Sequence, residues 1–298
     1  MRFLYVNKIL SISPEIIVGE KIFATGEPLR IAPPGYSGAG VEGTTDLNWV
    51  VAPGAISEAI GQLASWCVLH QTGFAGRPVF MFADRIEFFN DVRTGDKVVL
   101  RAQVERLDGD EMVFSGSAES SSGLVCRITS CHCHMAPLDQ MEIPDDTRSR
   151  FQNLIGEGEL YGNGSPFQLS PVILSKRVEP GLGKLTGTAK FLGDSFFYRD
   201  HFPLRPVTPI IMINEVIGEM TKSLCASEQS TGRLVPRVVE GLKIRNFIEP
   251  NEEFSVNVDI VSKNANADGL IRLQTITQVK KSDKMILRGR YSYEWRMC

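Results

Sequence analysis

Two long, largely apolar segments, each with a glutamate set inside it, dominate the hydrophobic pattern of the chain. They read PGAISEAIGQLASWCVLH from residue 53 and PIIMINEVIGEMTKSLCA from residue 209. Their length predicts two buried helices. Two short apolar stretches of strand character precede each one: FLYVNKILSISPEIIVGEKIFA before the first, SPVILSKRVEPGLGKLTGTAKFL before the second. An irregular loop then leads into the helix. After each helix, apolar and polar residues alternate, as in KVVLRAQV and VNVDIV, the period of a half-buried strand. Two further strand-like segments close each unit: EMVFSGSAES and LVCRITSCHCHM in the first, GLIRLQTITQVK and KMILRGRYSYEW in the second.

The two units keep register. Glu58 and Glu215 stand 157 positions apart, and the turn residues Gly95 and Asn251 stand 156 apart. A near-constant offset over two different elements points to a duplication. The order strand, strand, helix, then about four strands is an α+β pattern. The expected organisation is a first unit over 1–140, a linker over 141–166 and a second unit over 167–298. The linker is placed there because the segment is polar and ends rich in glycine.

A length of 298 residues suits one large domain or two ordinary ones, and 43% hydrophobic residues supply sizeable cores. A net charge of −3 argues against a nucleic-acid partner. Apolar runs such as PIIMIN are too short to span a bilayer, and MRFLYVNKIL lacks an export signal's apolar stretch. The expectation is a cytoplasmic protein with no membrane partner and with its six cysteines as reduced thiols. Cys131-His132-Cys133-His134 invites a metal reading. In a strand, however, the two cysteines share one face and the two histidines the other, so no metal site is expected.

The candidate chemistry lies in DHFPLRPVTPIIMINE, residues 200–215. His201 precedes a turn braced by Pro203, Pro206 and Pro209, and the helix with Glu215 follows. Proline suits the approach to a helix rather than its interior. A rigid loop presenting a histidine is a suitable holder for a proton-transfer group.

This stretch resembles the 3-hydroxyacyl-acyl-carrier-protein dehydratases of the FabZ/FabA type. Their motif is His-Phe-Pro-x-x-Pro-Val-x-Pro, here His201, Phe202, Pro203, Pro206 and Pro209, with a helix acid fourteen residues after the histidine. The first helix is similar too, with Pro53, Gly54, Glu58 and Gln62 on matching positions, although Pro53 to Glu58 is one residue shorter than in the family. The resemblance implies a double hotdog: two antiparallel sheets, each wrapping a central helix, packed as a pseudo-dimer. It implies dehydration of (3R)-3-hydroxyacyl thioesters to trans-2-enoyl thioesters, with no cofactor. The partner would be an acyl-carrier-protein or coenzyme A thioester, and the chain could form a homodimer of double hotdogs.

In that family the histidine of one subunit works with the helix acid of the other. Carried over, His201 should pair with Glu58 and leave Glu215 in a vacant pseudo-site. The first unit has Thr44, not histidine, fourteen residues before its glutamate. Backbone N–H groups at Gly54 or Ile210 are the oxyanion candidates. Ile210 stands where the family has glycine, and Asp200 where it often has glycine. The alternatives are a hotdog acyl thioesterase, whose helix carboxylate activates water, and a non-catalytic acyl-binding subunit.

Overall fold

The computed structural model describes residues 3–24, 29–31, 49–159, 171–225, 232–265 and 270–297. The first unit holds β1 (Lys8–Ile12), β2 (Ile16–Ile22), β3 (Arg30–Ile31), β4 (Val50–Val51), α1 (Pro53–Gln71), β5 (Gly76–Phe88), β6 (Lys97–Asp108), β7 (Glu111–Ser120) and β8 (Gly123–Pro137). The second holds β9 (Val172–Glu179), β10 (Lys184–Lys190), α3 (Ile210–Cys225), β11 (Gly232–Ile244), β12 (Phe254–Ala265), β13 (Ile271–Lys281) and β14 (Lys284–Met297). Between them lies α2 (Pro144–Ile155).

Twelve strands form one antiparallel sheet in the order β1-β2-β6-β7-β8-β5-β11-β14-β13-β12-β10-β9. The order is a palindrome about the β5–β11 contact, where Glu87 pairs with Val238 and Phe82 with Lys243. The duplication expected from the sequence is thus a pseudo-two-fold in space, and the fold is an α+β double hotdog. The two expected sheets are fused edge to edge, because β5 and β11 each offer the other an unpaired edge.

The strand alternation holds. Along β6, Val98, Leu100, Ala102 and Val104 turn inward, and along β12 Phe254, Val256 and Val258 do the same. Cys131 and Cys133 are buried on β8, while His134 is exposed and His132 Nδ1 lies 3.1 Å from Glu111 Oε1 on the outer face. No group of three or more possible metal ligands occurs among the described residues. Cys67, Cys126, Cys131 and Cys133 are free and buried. No helix among the described residues is long and apolar enough to cross a membrane.

Each half lays its helix on a strand glycine. A Cβ on Gly19 of β2 would come 2.7 Å from Leu63 Cδ1, and one on Gly187 of β10 would come 2.9 Å from Met220 Cε. Leu63 and Met220 are again 157 positions apart. Helix α1 is apolar almost all round, with Ile56, Ile60, Leu63 and Leu69 among its fully buried residues. A helix of that kind must be wrapped rather than laid on a surface.

Two segments differ from the sequence reading. Residues 3–7 are not a strand. Two of their N–H groups bond instead to side chains: Tyr5 N–H donates to Gln62 Oε1 (2.9 Å) and Phe3 N–H to Asp200 Oδ2 (2.7 Å). Within the stretch read as a linker, α2 packs Phe151 against Trp66, His70 and Phe74. Its buried Thr147, Phe151 and Leu154 recur at helical spacing, a signal masked by a polar composition.

Candidate active site

The loop between β10 and α3 holds His201 by its backbone. His201 N–H donates to Phe197 O (2.9 Å), Val207 N–H to His201 O (3.0 Å) and Thr208 N–H to Ile248 O (2.8 Å). Phe202 is buried beneath the turn with Val207 and Met141, while Pro203 is exposed. Pro209 stops the loop, and α3 starts at the next residue.

His201 Nδ1 lies 3.1 Å from the Val207 carbonyl. A carbonyl only accepts, so Nδ1 carries the proton and Nε2 keeps the lone pair. Burial pushes the imidazole down to about 4, the Val207 bond opposes this, and the Arg77 guanidinium lowers it further. His201 is therefore a neutral base near pH 7.

Glu58 comes from the other half, on α1. Gln62, one turn on, donates Nε2–H to Glu58 Oε1 (2.9 Å). The Tyr5 N–H on Gln62 Oε1 fixes which end of that amide faces the acid. Burial raises the Glu58 carboxyl above its usual value, opposed in smaller measure by the Gln62 bond and the Arg77 charge.

One cavity takes in Glu58, Gln62, His201, Phe202 and Ile210 together. Its volume is about 140 Å³, many times the ~10–15 Å³ that one water requires. The walls are mainly apolar: Ile86, Phe114, Ile128, Cys131, Leu242 and Ile244 among others. Asn246 is exposed and Phe247 half-buried, so this side is the mouth, where the Arg205 guanidinium lies 5.0 Å over the Phe247 ring.

Glu215, expected in a vacant pseudo-site, and Gly54, an oxyanion candidate, stand elsewhere. Neither Glu215 nor Gly54 lines this cavity. A Cβ on Gly54 would lie 3.4 Å from Ile211 Cβ and 3.9 Å from Glu215 Oε1, so these two share the pseudo-symmetric position. Burial pushes the Glu215 carboxyl up to about 7, with Glu219 adding to it. Gly54, one of the two oxyanion candidates, thus stands in the first turn of α1 on the Glu215 side. Ile210 and Ile211, at the start of α3, line the His201 cavity. First-turn N–H groups have no acceptor within their helix and sit at its positive end. Thr44 lies outside the described residues.

Arg77 was missed. At the start of β5 it lines the cavity, pairs with Glu142 (3.1 Å) and lies 5.3 Å over the Phe202 ring. Glu142, from the stretch read as linker, also accepts from Thr147 Oγ1 (2.9 Å). A charged residue beside glycine at a strand start carries no mark of its role in sequence.

Residues 54–127, which contain Glu58, match the family described as the Thioesterase superfamily. The chain as a whole carries the hotdog fold. Among solved structures it resembles a putative oleoyl thioesterase from Lactobacillus plantarum at 10% identity and a TM-score of 0.55, over 97% of this chain and 98% of that one. It equally resembles the dehydratase domain of the polyketide PpsC from Mycobacterium tuberculosis, at 13% identity and a TM-score of 0.55 over 98% of both chains. An acyl-ACP thioesterase from Bacteroides thetaiotaomicron aligns at 13% identity and a TM-score of 0.52, over 95% of this chain and 100% of that one. No curated protein matches by sequence. Likenesses at such identities speak for the fold, and the fold hosts both dehydration and thioester hydrolysis.

Proposed function

We propose that the chain dehydrates (3R)-3-hydroxyacyl thioesters, on acyl carrier protein or coenzyme A, to trans-2-enoyl thioesters. The supporting observation is that His201 and Glu58, from opposite halves, line one cavity that excludes Glu215. His201 Nε2 takes the proton from the carbon next to the thioester carbonyl. The protonated Glu58 carboxyl gives its proton to the departing 3-hydroxyl, which leaves as water. Charge developing on the thioester oxygen meets the N–H groups that open α3. The cycle leaves His201 protonated and Glu58 ionised, and transfer of one proton between them restores the start.

The superfamily match over 54–127 favours a second reading, in which Glu58 activates water to hydrolyse the thioester. That reading gives His201, locked in one tautomer in the same cavity, no task. One pair of assays separates them. The purified protein should hydrate a crotonyl thioester and release no free thiol. Thiol release without hydration would replace the dehydratase by a thioesterase.

A further inference from the structure

Helix α1 presents Ser57, Glu58, Gly61, Gln62 and Ser65 to the cavity. From Ser57 to Ser65 this face runs about 12 Å at 1.5 Å per residue. Gly61 lies in mid-helix, where glycine is unfavourable relative to alanine. Its backbone does not require glycine, since its φ is not in the left-handed region. Packing does not require it either, because a Cβ built there meets no atom within 4 Å. Gly19, by contrast, is held to glycine by Leu63 at 2.7 Å. The space over Gly61 is the cavity itself. Gly61 stands about one turn beyond Glu58, and the same cavity is walled by Ser65, Phe114, Ile128 and Cys131. Ser57 and Ser65 turn their hydroxyls back onto the Gly54 and Gly61 carbonyls (both 2.9 Å), so this face offers no hydroxyl proton to a ligand.

From this we infer that Gly61 is a specificity-determining residue: its missing side chain keeps open a groove along α1 that receives the acyl chain beyond the reacting carbons. The inference rests on the acyl-thioester reading of the cavity, but not on which reaction follows. The fold supplies its own control. Gly218 of α3, 157 positions on, is also a mid-helix glycine whose added Cβ meets nothing within 4 Å, and it does not line this cavity.

The test is calorimetric binding of S-butyl and S-dodecyl coenzyme A, thioethers that can be neither hydrolysed nor dehydrated. The proteins are the wild type, Gly61→Leu, Gly61→Ala and Gly218→Leu. Gly61→Leu should weaken the dodecyl compound by at least about tenfold and leave the butyl compound within about threefold. Gly61→Ala, which favours the helix and raises Tm by roughly 1–3 °C, should move dodecyl binding the same way by less. It keeps the test open if the leucine variant does not fold. Gly218→Leu should change neither. The inference is overturned if the wild type binds neither thioether, if Gly61 variants leave dodecyl binding unchanged or weaken both compounds equally, or if Gly218→Leu mimics Gly61→Leu. Crotonyl hydration is read separately. Its absence with the binding pattern intact sinks the dehydratase reading and leaves the groove standing.

Discussion

His201 donates its Nδ1 proton to the Val207 carbonyl within its own loop, across 3.1 Å. The loop thus selects the base's tautomer before any substrate arrives. His201→Ala and Glu58→Gln should each lower kcat for dehydration by ~10²–10⁴, the usual contribution of a positioned acid or base. Glu215→Gln should stay within a few-fold of wild type, since Glu215 lies outside the cavity. Equal losses in the two glutamine variants would refute the single-site arrangement.

The pH dependence follows from the two opposite shifts. Dehydration needs His201 neutral and Glu58 protonated. The acid limb of kcat/KM should fall near His201's value of about 4, and the basic limb should follow Glu58 above its usual range. Arg77 lowers both groups, so Arg77→Met should carry the whole profile to higher pH. It also leaves Glu142 without its cation, at a cost of about 3–5 kcal/mol, so the rates belong well below the variant's Tm. A profile reduced in height but unmoved would show Arg77 to be a prop only.

Gln62 ties the N-terminal segment to α1 through one amide, bonding Glu58, the Tyr5 N–H and the Phe3 carbonyl. Gln62→Leu strands the two backbone groups and should cost about 1–3 kcal/mol in urea unfolding. The Gln62 bond lowers the Glu58 carboxyl, so its loss should also move the basic limb upward. Unfolding unchanged from wild type would mean that residues 3–5 contribute little to the fold.

Glu215 gives a test in stability rather than rate. Folding raises its carboxyl from 4.5 to about 7. Between those values the native state binds more protons than the unfolded chain, so stability declines as pH rises through the interval. Glu215→Gln removes that decline. The variant should be more stable than wild type by ~1–3 kcal/mol at about pH 8 and indistinguishable from it near pH 4. Urea titrations at the two pH values decide it.

The sequence carried the fold through periodicity and repetition. Alternation in KVVLRAQV placed Val98 and Leu100 inside, and the constant offset foretold the palindromic strand order. It also drew attention to His201 and Glu58, because proline spacing and a lone acid in an apolar helix are local signals. What it hid was non-local. Phe3 and Tyr5 look like a strand until Gln62 and Asp200 intercept their N–H groups. Phe151 sits in a polar stretch yet fills the space between Trp66 and His70. Arg77 and Glu142 acquire meaning only because β5 and the segment just before α2 meet behind the histidine loop.

The seam between β5 and β11 has a further consequence. The proposed base and acid stand on opposite sides of it, so neither half carries a complete set of reacting groups. Made as two separate polypeptides, the halves would be inert alone and active only on reassembly. At high dilution the specific activity would then depend on protein concentration. Joined in one chain, the base meets its acid at an effective concentration set by the connector rather than by expression level.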